Sequence, residues 1–145
     1  MTVYNTRVIP KTLNRLQRPA KRDRLPKEIQ GKKASEPEAR MAKILDKLGI
    51  KYAFIWEIQT PYTALGQRNQ IDFVCQMPTS VVPLEVDGEF AHKTISQKES
   101  DRQRDALLND IIRKDGWDEI IRVDAQRLLK DDATTERTLK QLLRV

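Results

Sequence analysis

From residue 35 onward, apolar positions fall into a succession of helix-like and strand-like periods. Met41, Ile44, Leu45 and Leu48 recur at three- and four-residue spacing, which predicts a helix. Ser35-Glu36-Pro37-Glu38 supplies its start: an N-cap serine, a proline in the first turn and a glutamate at the third helical position. Gly49 ends it. Over residues 51–58, Tyr52, Phe54 and Trp56 alternate with other side chains, which predicts a strand. Pro61, Gly66 and Asn69 mark a loop. Residues 70–76 form a second strand, with Ile71, Phe73 and Cys75 expected on one side. Residues 81–87 form a third, apolar until Glu85 and therefore expected near the middle of its sheet. A long helix over 96–114 turns Leu107, Leu108, Ile111 and Ile112 inward and stops at Gly116. A fourth strand at 119–123 and a helix over 134–143 close the chain. Three strands able to pair as neighbours, then a helical crossover to a fourth, describe an α/β domain: a central mixed sheet of about four strands flanked by helices.

Residues 1–33 follow no such rhythm. Their apolar residues Val8, Leu13, Leu16 and Leu25 are scattered among Pro10, Pro19 and Pro26. The expectation is an extended or partly disordered arm, with one short helix near 11–18, that orders on binding. Charge sets this segment apart more sharply. It holds ten Lys or Arg against two acids, whereas residues 34–145 hold seventeen against nineteen, so the net charge of +6 originates in the arm. A basic arm of this kind suits a polyanion, bound through counterion release from phosphates. Lys11, Arg15, Arg18, Lys21, Arg22, Arg24, Lys32 and Lys33 are its candidate contacts, with Arg68 and Lys93 in the folded part. The competing reading is a solvated tail.

The length suits one folded domain, residues 34–145, behind the arm. No run of 18 apolar residues is present, which argues against a membrane span, and no apolar N-terminal segment suggests secretion. Cys75 stands alone, which excludes an internal disulfide and a multi-cysteine zinc site and fits a reducing cytoplasm.

The chemistry-bearing residues lie at strand ends. Asp72 interrupts the apolar run Ile71-Asp72-Phe73-Val74. Glu85 and Asp87 share one face of their strand and Val86 takes the other. Buried carboxylates are costly unless paired or bound to a cation. Oxygen donors alone favour Mg²⁺ or Mn²⁺, so Asp72, Glu85 and Asp87 are the candidate metal ligands. The competing reading pairs these acids with Arg68, Lys93 or Arg104. Glu38 already has a structural task in the capping box. His92, the single histidine, follows the turn residue Gly88 and suits proton transfer near neutral pH. Asp101 and Asp105 share one face of the long helix, with Asp101 early enough to orient His92 and Asp105 better read as a partner in local ion pairs.

Taken together, Leu84-Glu85-Val86-Asp87-Gly88-Glu89-Phe90-Ala91-His92, Asp101-Arg102-Gln103-Arg104-Asp105 and Gly116-Trp117 leading into Ile120-Ile121-Arg122-Val123 resemble a known pattern. They are similar to nucleases of the very short patch repair endonuclease branch of the PD-(D/E)XK superfamily, which includes homing endonucleases with a Glu, Asp, His, Asp active-site set. The resemblance spans about residues 35–125. It implies a restriction-endonuclease-like core in which Glu38 matches the first-helix acid, Asp72 the metal-binding aspartate, His92 the catalytic histidine and Asp101 the acid after it. Glu85 and Asp87 would complete the metal site, with the Val86 carbonyl beside them. The superfamily's usual lysine is absent, Asp87 standing in its place, and Ala91 occupies a position where tryptophan is common. The resemblance thus implies a Mg²⁺- or Mn²⁺-dependent endonuclease whose catalytic set is Glu38, Asp72, Glu85, Asp87, His92 and Asp101. DNA is the expected partner, with RNA left open. A junction-resolving variant would work as a homodimer. The setting would be cytoplasmic, nucleoid-associated, or that of a phage or mobile element. The alternative is a non-catalytic nucleic-acid-binding or assembly protein on a decayed nuclease fold.

Overall fold

The computed structural model describes residues 25–59, 69–88 and 93–145 of the chain. Its elements run β1 (Glu28–Ile29), β2 (Lys32–Lys33), α1 (Glu36–Lys47), β3 (Lys51–Glu57), β4 (Gln70–Gln76), β5 (Val81–Asp87), α2 (Ile95–Lys114), β6 (Ile121–Asp124), α3 (Ala125–Lys130) and α4 (Asp132–Leu143). The main sheet has the order β3-β4-β5-β6: two antiparallel pairings, then a parallel one reached through the α2 crossover. This is an α/β domain with a four-stranded mixed sheet. No helix among the described residues is long and apolar enough to cross a membrane.

Local chemistry explains where the elements begin. The Ser35 hydroxyl accepts from the Glu38 amide, and the Ser35 amide donates to Glu38 Oε1 at 2.8 Å, closing a capping box ahead of α1. Thr94 and Gln97 build the same device at the start of α2. Each face of the sheet has its own core. On one face Phe54, Phe73, Cys75, Val82 and Leu84 pack against Met41, Ile44 and Leu45 of α1, Leu128 of α3 and Leu139 of α4. On the other, Ile71 and Val74 pack against Leu108 and Ile112 of α2.

Three departures from the sequence reading matter. The six-residue helix α3 has no counterpart in the apolar pattern; it is too short to show a period and is started by the Asp124 side chain accepting from the Gln126 amide. Residues 28–33, assigned to the arm, form a hairpin turned by Gln30 and Gly31, both at positive φ. Ile71 does not share a face with Phe73 and Cys75. Side-chain alternation reverses between residues 71 and 73 of β4 and again opposite, in β3, where Ile55 joins Phe54 on the α1 side.

The reversal has a visible backbone cause. Ile55 has φ 56°, a left-handed conformation that a β-branched residue strongly disfavours. The pairing of β3 with β4 includes every partner from Lys51 with Gln76 to Glu57 with Gln70 except Ile55 with Asp72. The hairpin holds this stretch from outside. The Gln30 side chain accepts from the Phe54 amide and donates to the Tyr52 carbonyl, and the Lys32 ammonium donates to the carbonyls of Phe54 at 3.0 Å and Ile55 at 2.9 Å. These bonds occupy part of an otherwise open sheet edge.

Candidate active site

A polar cleft of about 410 Å³ opens where β4 begins and β5 ends, beneath the first turns of α2. It is lined by four carboxylates, Asp72, Glu85, Asp87 and Asp101, and three cations, Lys93, Arg104 and Arg122, with Gln70, Val86 and Gly88 completing the wall. The alternation of β5 places Glu85 and Asp87 on the α2 face, as expected, while Val86 packs toward the α1 side. Both acids are buried, at 8% and 7% exposure.

Burial on this scale requires partners. Arg104, itself 7% exposed, reaches from α2 to Glu85 Oε1 at 2.7 Å and also donates to the Gln70 carbonyl and to Asp105 Oδ1. Glu85 and Arg122 are register partners on β5 and β6. Arg122 grips both oxygens of Asp105, at 2.6 and 2.9 Å, and lies 3.3 Å from Asp87. Lys93 bridges Asp87, at 3.1 Å, and Asp101. Burial opposes its charge, but hydrogen bonds to Asp101 and Asp87 outweigh that and raise its pKa. The ion pairs of the competing reading are therefore present for Glu85 with Arg104 and for Asp87 with Lys93.

Asp72 is held differently. Its Oδ2 accepts from the Val86 amide at 2.8 Å, across the point where the β4–β5 ladder stops at Phe73 and Leu84. The carboxylate thus lies in the plane of the sheet instead of standing on either face. Burial, and next the neighbouring Glu85 charge, push its pKa up to about 7. The Val86 bond acts in the opposite direction, while the Glu38 charge and a hydrogen bond shared with Glu85 add to the rise. Asp72 therefore retains a proton up to near neutrality beside the adjoining Glu85.

Of the expected catalytic set, Asp72, Glu85, Asp87 and Asp101 meet in one cleft. Glu38 performs its capping task and is felt at Asp72 through its charge. His92 lies outside the described residues, as do Lys11, Arg15, Arg18, Lys21, Arg22, Arg24 and Arg68. Lys93, expected to meet nucleic acid, sits between two cleft carboxylates. Lys32 is engaged with the β3 backbone, and Lys33 is exposed on β2. Among the described residues, no group of three or more His, Cys, Asp or Glu donors is gathered closely enough to hold a metal ion. The expected trio divides: Asp72 and Glu85 adjoin, while Asp87 faces Lys93 and Arg122. Arg104 was named from the sequence only as a possible pairing partner of the strand acids, and Arg122 was not assigned to the cleft at all, although an arginine facing a buried acid on the next strand is the expected solution to its charge. Comparison with known proteins returned no match: no family model, no curated protein and no solved structure corresponds to this chain.

Proposed function

We propose that the protein is a metal-dependent phosphodiester hydrolase acting on DNA, with Asp72 and Glu85 as the core of a Mg²⁺ or Mn²⁺ site. The observation that carries this reading is the adjoining Asp72–Glu85 pair, whose mutual repulsion a divalent cation would relieve. Once Asp72 loses its proton, the four lining carboxylates outnumber the three cations, and the cleft repels a phosphodiester until a cation enters it. The donor set supports a hard ion: two carboxylates, and the Val86 carbonyl on the same strand edge as the amide that Asp72 accepts from. Asp87 fits less well, because Lys93 and Arg122 already neutralise it. A bound divalent ion supplies polarisation of a phosphate oxygen and a water acidified toward neutral pH.

The remaining tasks fall to the chain itself. Arg104 orients Glu85 through an ion pair anchored on the Gln70 carbonyl. Lys93 stands at the cleft wall, where its ammonium can meet a phosphate oxygen. Asp101 holds Lys93 in place there. His92 keeps the proton-transfer role implied by the resemblance to the PD-(D/E)XK nucleases. Specificity for DNA rests on that resemblance and on the basic N-terminal segment.

The second reading, a non-catalytic nucleic-acid-binding or assembly protein on the same fold, is favoured by a specific observation. Glu85 and Asp87 already have cationic partners, and no group of three metal donors assembles among the described residues. Incubation of supercoiled plasmid and of branched DNA with Mg²⁺, against an EDTA control, separates the two. Nicking in Mg²⁺ alone is expected; no cleavage of either substrate, with binding retained, would favour the second reading.

The arm is tested separately. Deletion of residues 1–24, which keeps the hairpin, removes seven Lys or Arg against one acid. It is expected to weaken DNA binding and to flatten log K against log[salt] by several units, at about 0.9 for each phosphate the arm no longer neutralises. Unchanged affinity in a salt titration would assign the arm to another partner.

A further inference from the structure

The Lys32 ammonium sits on the outer edge of β3 and donates to the Phe54 and Ile55 carbonyls. The Phe54 carbonyl belongs on that side. In an antiparallel edge strand, residues alternate between turning their amide and carbonyl outward and turning them toward the neighbouring strand. The Phe54 amide and the Tyr52 carbonyl both meet Gln30, so residues 52 and 54 face outward. Ile55, next along, would then point its carbonyl inward, to the amide of its register partner Asp72. Instead the positive φ of Ile55 has swung that carbonyl out to Lys32, and Ile55 with Asp72 is the pair missing from an otherwise continuous ladder. At the same position β4 reverses its side-chain alternation, and the Asp72 carboxylate turns into the sheet plane to accept from the Val86 amide.

We propose that Lys32 is a positioning residue for Asp72: by holding the Ile55 carbonyl outside the sheet, it keeps the Ile55–Asp72 pair open and the Asp72 carboxylate on the Val86 amide. Without the ammonium, the strain of the left-handed Ile55 backbone is offset, among the described residues, only by the packing of Ile55 on the α1 side and the Asp72–Val86 bond. The residue then relaxes to extended geometry, its carbonyl returns to the Asp72 amide and the Asp72 carboxylate is drawn off the Val86 amide. The hairpin that precedes α1 is thereby part of the cleft's construction, although its side chains lie on the far edge of the sheet. That Asp72 serves as a metal ligand rests on the function proposed above; its placement does not.

Amide hydrogen exchange followed by NMR on the full chain, without metal or substrate, tests the placement. Lys32→Met retains the stem and removes the donors. The Val86 amide is expected to exchange about tenfold faster in this variant, while the Val82 amide, on the intact part of the same ladder, holds its rate. Lys32→Arg should keep Val86 protected. In Lys32→Met/Ile55→Gly, glycine accepts positive φ unaided, and protection of Val86 should return. Unchanged Val86 exchange in Lys32→Met overturns the proposal, as does equal loss at Val82 and Val86, which marks general loosening. Should Lys32→Met not fold, the double variant decides alone: Val86 protection close to wild type is the expected result, and its loss refutes the proposal. A positioned Asp72 alongside failed DNA cleavage would refute the function and leave this inference standing.

Discussion

Asp72→Asn is expected to abolish Mg²⁺-dependent cleavage and, in metal-free protein, to stabilise the fold. The first effect follows from losing a ligand charge: several kcal/mol of transition-state stabilisation, on the order of 10³-fold in rate. DNA affinity should stay close to wild type, because phosphate contacts elsewhere dominate it. The second effect follows from linkage. The folded pKa of Asp72, about 7, lies above the ordinary carboxyl value of 3.8. The group's contribution to stability is therefore fully present below about pH 3.8 and is lost as pH rises through about 7. Asparagine does not titrate, and it can both accept from Val86 and donate to Glu85. The stability gain of the variant should thus grow from near zero at pH 4 to roughly 1–4 kcal/mol at pH 8. Urea unfolding at both pH values in EDTA checks this. An Asp72→Asn protein that is less stable than wild type at pH 8 would show that Asp72 sits there as a favourable anion, not as half of a repelling pair.

Arg104→Met is expected to destabilise the metal-free fold strongly. Glu85 is 8% exposed and Arg104 7%, so truncating the guanidinium leaves a buried carboxylate beside Asp72 without its direct partner, with only the more distant charge of Arg122 to offset it. Breaking such a pair costs about 3–5 kcal/mol, which for a domain of this size lowers Tm by on the order of 10–15 °C. The loss should shrink in Arg104→Met/Glu85→Gln, because the double change removes both charges and not just one. A double-mutant cycle by urea unfolding at pH 7.5 measures it. A cost of Arg104→Met below about 1 kcal/mol would mean that Glu85 is solvated as a surface acid would be.

Legibility in the sequence followed the physics of each feature. Binary patterning carried α1, β3, β4, β5 and α2, and the alternation along β5 placed Glu85 and Asp87 together. The reversal at Ile55 and Asp72 was invisible because a period-two pattern presumes extended backbone throughout; Phe54, Ile55 and Ile71 are all apolar and give no sign of which face each takes. The hairpin was hidden because its strands are two residues long and it lies in a Lys-rich stretch that reads as solvated. The acids of the cleft were legible and Lys93 and Arg104 stood among their candidate partners, but which acid each would meet was not legible, nor was the part of Arg122. Glu85 with Arg104 is separated by nineteen residues and Asp87 with Arg122 by thirty-five, distances that only the α2 crossover closes. Asp105, read as a local ion-pair residue, does pair with Arg104 but also receives two hydrogen bonds from Arg122 of β6.

The central claim is that the Asp72–Glu85 pair holds a divalent cation. Calorimetric titration of Mn²⁺ into the full chain, at pH 6.5 and pH 8.0 and in buffers of different ionisation enthalpy, tests it most directly. Saturable binding of one ion per chain is predicted, tighter at pH 8.0, accompanied at pH 6.5 by release of a proton from Asp72 and absent in Asp72→Asn. Absence of saturable binding in the wild-type chain, or equal binding by Asp72→Asn, would contradict it.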